Sequence, residues 1–147
     1  MGIKIITDNK KARFNYQIIE TYEAGLVLLG SEVKSIREGN ISLSESYIAF
    51  KNMEAYLQGA NIKPYRSSSY NNHEPERLRK LLLHREELHK ISGKIDEKGL
   101  TAVPLKMYFK DGRIKLEIGL GKGKKLHDKR ESIKERDVKR QLQRGSY

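Results

Sequence analysis

The chain predicts a mainly β (α+β) fold: a closed, antiparallel, six-stranded β-barrel with two or three helices and a basic C-terminal tail. Three observations carry this expectation. Apolar and polar residues alternate in short runs, turn residues separate those runs, and helical spacing intrudes as isolated insertions, not in βαβ order.

Met1 to Asp8 suits a strand and a loose end equally well. Beyond it, Tyr16 to Tyr22 is expected to pair with Leu26 to Leu29 across Glu23-Ala24-Gly25. A short helix over Glu32 to Glu38 follows, with Ser31 as its cap and Gly39 as its stop. Ser46 to Lys51 and Ala55 to Ala60 form a second pair across Asn52-Met53-Glu54. Arg66 to His73 (RSSSYNNH) has loop composition, after which Pro75 opens a helix from Glu76 to Ser92, with Leu78, Leu81, Leu82, Leu88 and Ile91 on one side and an end near Gly93.

The sharpest signal comes next. Val103, Leu105, Met107 and Phe109 alternate with Pro104, Lys106 and Tyr108, and Ile114, Leu116, Ile118 and Leu120 repeat the pattern after Asp111-Gly112, which is a β-hairpin. Pro104 has no N–H to give a ladder and belongs near a strand start or a sheet edge. Six short strands with two inserted helices suit a barrel of the oligonucleotide-binding (OB) kind, spanning residues 1–121.

Residues 122–147 are the tail. From Gly121 to Tyr147 there are ten Lys/Arg and four Asp/Glu, so this segment holds +6 of the net +11. Leu126, Ile133, Val138 and Leu142 are spaced seven, five and four apart, which makes no docking stripe, and the segment is expected to be disordered when free. Asp128 with Glu131 nonetheless makes a helix start, and Lys134, Arg136, Lys139, Arg140 and Arg144 suit a helix whose counter-charge comes from a polyanion. The tail therefore reads as a segment that folds on binding.

At 147 residues the chain has room for one domain and an arm. The charge points to RNA, DNA or an anionic membrane as partner. No apolar run approaches a membrane span and the N-terminus is no signal peptide, so a cytoplasmic location is expected. Zero cysteines exclude disulfides, thiol catalysis and zinc-thiolate sites.

Gly119 to Lys125 (GLGKGKK) resembles a phosphate loop but lacks the glycine, Ser/Thr and βα context of one. It remains a candidate for RNA-backbone binding or a plain hinge to the tail. His84 and His89 miss metal-helix spacing and read as surface histidines. Glu38 and Glu45 read as solvated charges, whereas Glu32, set in a basic face, is a candidate acceptor for a guanine or cytosine amino group. Tyr65, Tyr70 and Tyr108 are candidates for base stacking or for half-buried packing. No catalytic, metal or cofactor site is expected.

Several segments, in this order and spacing, resemble the small protein B (SsrA-binding, SmpB) family of bacterial trans-translation. They include Asn9-Lys-Lys-Ala-Arg13, Gly30-Ser-Glu-Val-Lys-Ser35, Asn40 to Tyr47 (NISLSESY), Gly59 to Tyr65 (GANIKPY), Gly99 to Leu105 (GLTAVPL) and Gly121 to Arg130 (GKGKKLHDKR). The resemblance implies a non-enzymatic adaptor with an OB-type barrel that binds the tRNA-like domain of tmRNA (SsrA RNA) at its elbow. Elongation factor Tu and alanyl-tRNA synthetase are implied as partners through the charged tmRNA, and the stalled 70S ribosome as the destination; a monomer is expected. The resemblance assigns Glu32, Lys34, Ser35, Asn61, Tyr65, Lys106, Lys122, Lys124 and Lys125 to the tmRNA face. It places His127, Asp128, Lys129 and Arg130 near the decoding centre, on a tail that turns helical in the empty mRNA channel. A general RNA-binding or ribosomal protein is the alternative, and a nuclease the third class.

Overall fold

The computed structural model describes residues 2–65, 72–124 and Arg130. Among them run β1 (Ile3–Asp8), α1 (Lys10–Asn15), β2 (Tyr16–Leu26), α2 (Gly30–Arg37), β3 (Ile41–Ser42) and β4 (Tyr47–Lys51), then β5 (Glu54–Gln58), β6 (Asn61–Ile62), β7 (Arg79–Leu82), α3 (Arg85–Lys98), β8 (Thr101–Lys110) and β9 (Arg113–Gly123). Seven strands form one antiparallel sheet in the order β1-β8-β9-β2-β7-β5-β4, and β3 pairs with β6 apart from it. The fold is thus mainly β with three helices, but with more strands than expected. Nor do hydrogen bonds close the sheet among the described residues: β1 and β4 are its edges, although β4 packs against β8.

The β8–β9 hairpin forms as its pattern predicts. Asp111 (φ 51°) and Gly112 (φ 75°) occupy the two left-handed positions of a two-residue turn whose twist matches the strands. Asn52 (φ 52°) and Met53 (φ 61°) make the same turn between β4 and β5 without a glycine.

The alternation of β8 is broken by a bulge between Pro104 and Lys106. Ala102 and Met107 face the main core, while Val103 and Leu105 pack with Ala12 of α1 in a second, smaller cluster. Asn9 reads the bulge directly: its Nδ2 donates to the Pro104 carbonyl (2.8 Å) and its backbone N–H to the Leu105 carbonyl (2.7 Å). β1 ends at Asp8, opposite Lys106, so Pro104 lies where β8 has lost that neighbour and its missing N–H interrupts no ladder.

Two expected elements did not form. Tyr16 to Leu26 is one continuous strand, not a strand and a turn, because Ala24 is fully buried in the core and Gly25 opposes Leu82 closely, with the position of an added Cβ 3.4 Å from Leu82 Cβ. The predicted helix from Glu76 begins instead as β7, in which Arg79 and Leu81 point inward while Lys80 and Leu82 point out. α3 starts only at Arg85, runs through Gly93 and stops at Gly99, whose φ of 64° lets its N–H reach the Ile95 carbonyl. α2 begins two residues earlier than expected, with Leu29 as its N-cap, Ser31 inside it and Gly39 (φ 79°) beyond its end.

Gly119 and Gly121 are strand residues of β9 and not part of a loop or hinge. A Cβ on Gly119 would stand 2.7 Å from Leu105 Cδ1, and one on Gly121 2.7 Å from the Gln17 carbonyl oxygen. These glycines let Leu105 of the smaller cluster and Gln17 of β2 approach β9 closely. Gly121→Ala is therefore expected to destabilise by about 1–3 kcal/mol, and Gly119→Ala by less because a leucine tip yields more easily than backbone. Urea denaturation of both variants checks the order; equal midpoints with the parent would show that the strands have room.

Candidate nucleic-acid interface

Beneath the basic surface lies a buried ionic hub. Glu32, Arg79 and the smaller Ser35 are each 0 % exposed, and among the described residues no buried side-chain nitrogen or oxygen lacks a hydrogen-bond partner. Glu32 Oε1 accepts from the Leu29 N–H (2.7 Å) and Arg77 Nη2 (2.6 Å); Oε2 accepts from Arg79 Nε (2.6 Å) and Arg77 Nε (3.2 Å). Arg79 continues outward to the Ala60, Glu74 and Pro75 carbonyls, and Arg77 to the Val27 carbonyl. One carboxylate thus ties the start of α2 to the end of β2, to β7 and to the segments flanking β6.

Burial raises the Glu32 pKa, but Arg77, the Leu29 N–H and Arg79 together outweigh it and hold the carboxyl below its ordinary value. This corrects the expectation of a base-reading carboxylate: with no exposed surface and both oxygens engaged, Glu32 supports the face from behind. His73 is part of the same support. Its Nε2–H donates to the Ile62 carbonyl (2.9 Å), and in that neutral tautomer Nδ1 accepts from Ser31 Oγ (2.9 Å).

On this support α2 and β6 bring several predicted residues together. Lys34 Nζ lies 5.5 Å from the centre of the half-buried Tyr65 ring. Tyr65 is held by its backbone, donating to Asn72 Oδ1 (3.1 Å) and accepting from Asn72 Nδ2 (2.9 Å). Ser35 Oγ donates to the Lys63 carbonyl (2.5 Å), which makes Ser35 a strut and not a surface contact. Asn61 sits opposite Ser42 on the small β3–β6 ribbon. Exposed Lys63 joins this group and was missed in the sequence, where it stands alone between apolar neighbours.

Lys122 lies across from Gln17 at the end of β9, and the Lys124 N–H donates to the Asn15 carbonyl (2.8 Å) beside α1. Lys106 is separate from both. It faces Glu117, five residues before Lys122 on β9, or roughly 17 Å at strand spacing. Its Nζ is 3.4 Å from Glu117 Oε2 and 5.7 Å from the Tyr108 ring centre. Tyr108 is only 3 % exposed, and its hydroxyl donates to Glu23 Oε2 (2.6 Å), so it packs and does not stack on a base. Burial, reinforced by Glu23, pushes its phenol pKa up; burial and Glu20 likewise raise Tyr22 to about 12.

His84 and His89 are exposed, at the N-cap and on α3, and Glu38 and Glu45 are exposed as expected. Lys125, His127, Asp128, Lys129 and Tyr70 lie outside the described residues, whereas Arg130 is described and exposed. Among the described residues no cluster of His, Asp and Glu offers a metal site, and no helix is long and apolar enough to cross a membrane.

Exposed Lys34 and Lys63 beside an anchored aromatic, with Glu32 turned inward, define a small basic α+β protein of the nucleic-acid-binding class. Comparison with known proteins narrows this. The model of the SmpB protein family matches residues 6–146, and the chain belongs to that family. The SsrA-binding protein of Bdellovibrio bacteriovorus is 62 % identical over 141 residues, covering 96 % of this chain and 93 % of that one. The SsrA-binding protein of Trichodesmium erythraeum is 57 % identical over 145 residues, covering 98 % and 93 %. A solved structure described as "tmRNA-SmpB: a journey to the center of the bacterial ribosome" superposes with a TM-score of 0.69 at 47 % identity, covering 86 % of this chain and 93 % of that one.

Proposed function

We propose that this protein is a tmRNA-binding adaptor of trans-translation. It recognises the tRNA-like domain with its folded part and delivers that RNA to the A site of stalled ribosomes. The observation that carries the reading is full-length similarity at 62 % identity to an SsrA-binding protein. The geometry supports it: Lys34, Lys63 and Tyr65 form a preorganised cationic and aromatic face whose backbone is held by Ser35 and Asn72. The packing of β4 against β8 supports an OB-type coiled sheet as the platform.

In this reading Lys122, Lys124 and Lys125 hold phosphates where the chain leaves the sheet, and the tail carrying His127 to Arg130 acts in the empty mRNA channel. Elongation factor Tu and alanyl-tRNA synthetase meet the protein through charged tmRNA. The chain performs no catalysis, acts as a monomer in the cytoplasm and takes no cofactor.

The test is binding to the tRNA-like domain of tmRNA with excess ordinary tRNA present, at near-physiological salt. Nanomolar affinity that survives the competitor is expected. A general RNA-binding protein would instead lose binding to the competitor and show a salt slope near −0.7 per phosphate contacted on single strands. Lys34→Ala is expected to weaken specific binding about tenfold by removing a phosphate-directed cation and its contact with the Tyr65 ring, with the thermal midpoint unchanged. Unaltered affinity would take Lys34 off the face.

A further inference from the structure

Beside α2, lined by Val33 and Arg37, lies an apolar hollow of about 310 Å³. Leu26, Val33, Phe109 and Ile114 contribute its apolar walls, and Arg37, Arg113 and Lys115 are its charged lining residues. No acidic side chain lines it. Arg37 and Arg113 are exposed, and neither has an ion-pair partner within 4.0 Å among the described residues. Two other surface hollows differ in this respect, the one beside α1 containing Glu45 with Lys11 and the one under His84 containing Glu23 and Glu87, whereas those at Lys51 and Lys63 hold a single cation each and no arginine.

We propose that this hollow is a nucleotide-capture site, taking one unstacked base of an RNA against Phe109 and Val33 while Arg37 and Arg113 hold the flanking phosphates. Three observations select this occupant. The volume lies at the lower end of the range for small ligands, enough for a flat base and too little for a folded peptide element. The charges are cationic only, so they complement a phosphate and repel the chain's own basic tail. Finally, α2 carries Lys34 toward Tyr65 and Val33 with Arg37 toward the hollow, so a single RNA lying over α2 reaches both places. The proposal rests on the RNA-binding reading and adds a second, base-accepting contact to it; stacking with arginine clamps is how proteins hold single bases without reading a full duplex.

The test uses the full chain with labelled Val, Leu and Ile methyl groups. Addition of the tRNA-like domain of tmRNA, and separately of a short single-stranded oligoribonucleotide, is expected to shift the Val33 and Ile114 methyl signals saturably. The double variant Arg37→Glu/Arg113→Glu, both at exposed positions, should lower affinity for the tRNA-like domain about tenfold or more. Val33→Phe, which fills the hollow without changing charge, should lower it several-fold.

Tight binding of the tRNA-like domain with unmoved Val33 and Ile114 signals and unaffected variants would overturn the hollow while leaving the adaptor reading intact. If the parent fails to bind that domain, the adaptor reading falls and the oligoribonucleotide alone decides the hollow: saturable shifts sustain it, silence removes it. Methyl shifts produced by an acidic peptide and not by either RNA would also overturn it, making the site a protein contact.

Discussion

Glu32→Ala is expected to destabilise the folded protein by about 3–5 kcal/mol, the usual result of leaving a buried guanidinium without its partner. Arg79 has no exposed surface through which water could replace the carboxylate, and the Leu29 N–H at the start of α2 would lose its acceptor at the same time. Glu32→Gln keeps the shape but removes the charge, so it should fall between the parent and the alanine variant. Urea denaturation measures the difference, and a midpoint within a few tenths molar of the parent would sink the hub as a structural anchor.

The pH dependence has a defined sign. The carboxyl of Glu32 is held below its ordinary value in the folded protein, so its contribution is complete above the unfolded carboxylate range and disappears as pH falls through the lower folded value. The stability gap between parent and Glu32→Gln should be constant from neutrality to about pH 5 and close below about pH 4. RNA affinity should weaken along with stability, because Arg79 holds the Ala60 and Pro75 carbonyls on either side of β6. If Glu32 instead touched a base, its loss would impair RNA selectivity at full stability.

The parts of this structure that were legible in the sequence are those governed by local chemistry. Asp111-Gly112 marks a turn because few residues tolerate two successive left-handed positions, and the turn across Asn52-Met53-Glu54 was legible from the strand patterns on either side of it. What failed depended on partners far along the chain. Arg79 occupies a core position of β7, and a charged residue there disguises period-two burial as a helical leucine pattern through Leu81 and Leu82. Its acceptor, Glu32, lies 47 residues earlier, so neither residue announces the pair. In the same way, Gly119 and Gly121 looked like a loop because the sequence does not show that Leu105 and Gln17 press against them.

The candidate face divides along the same line. Lys34 was found through segments matching a known family and Tyr65 also by its aromatic character among charges, and the structure brings them together. Ser35, found by the same matches, and Glu32, found by them and by its charged setting, are buried supports, since neither a motif nor a neighbouring charge records whether a residue faces solvent or core. The resemblance located the region, and burial separated its surface from its scaffold.

A chain ending at Leu126 is expected to keep affinity for the tRNA-like domain within a few-fold yet lose alanine transfer on stalled ribosomes almost completely. Removing residues 127–147 takes away seven Lys/Arg and four Asp/Glu but leaves Lys34, Lys63 and Tyr65 and also Lys122, Lys124 and Lys125. Every residue that positions the folded face lies before the cut: the hub from Glu32 to Arg79, and Asn9 with the bulge it holds. Binding that collapsed on truncation would mean that the tail supplies the recognition and the folded face only supports it. Tagging that survived in a reconstituted trans-translation assay would mean that delivery alone suffices to release the ribosome. The expected split, with binding retained and transfer lost, requires two separable parts: a rigid surface that chooses the RNA, and a basic segment whose charge acts only after the RNA has arrived.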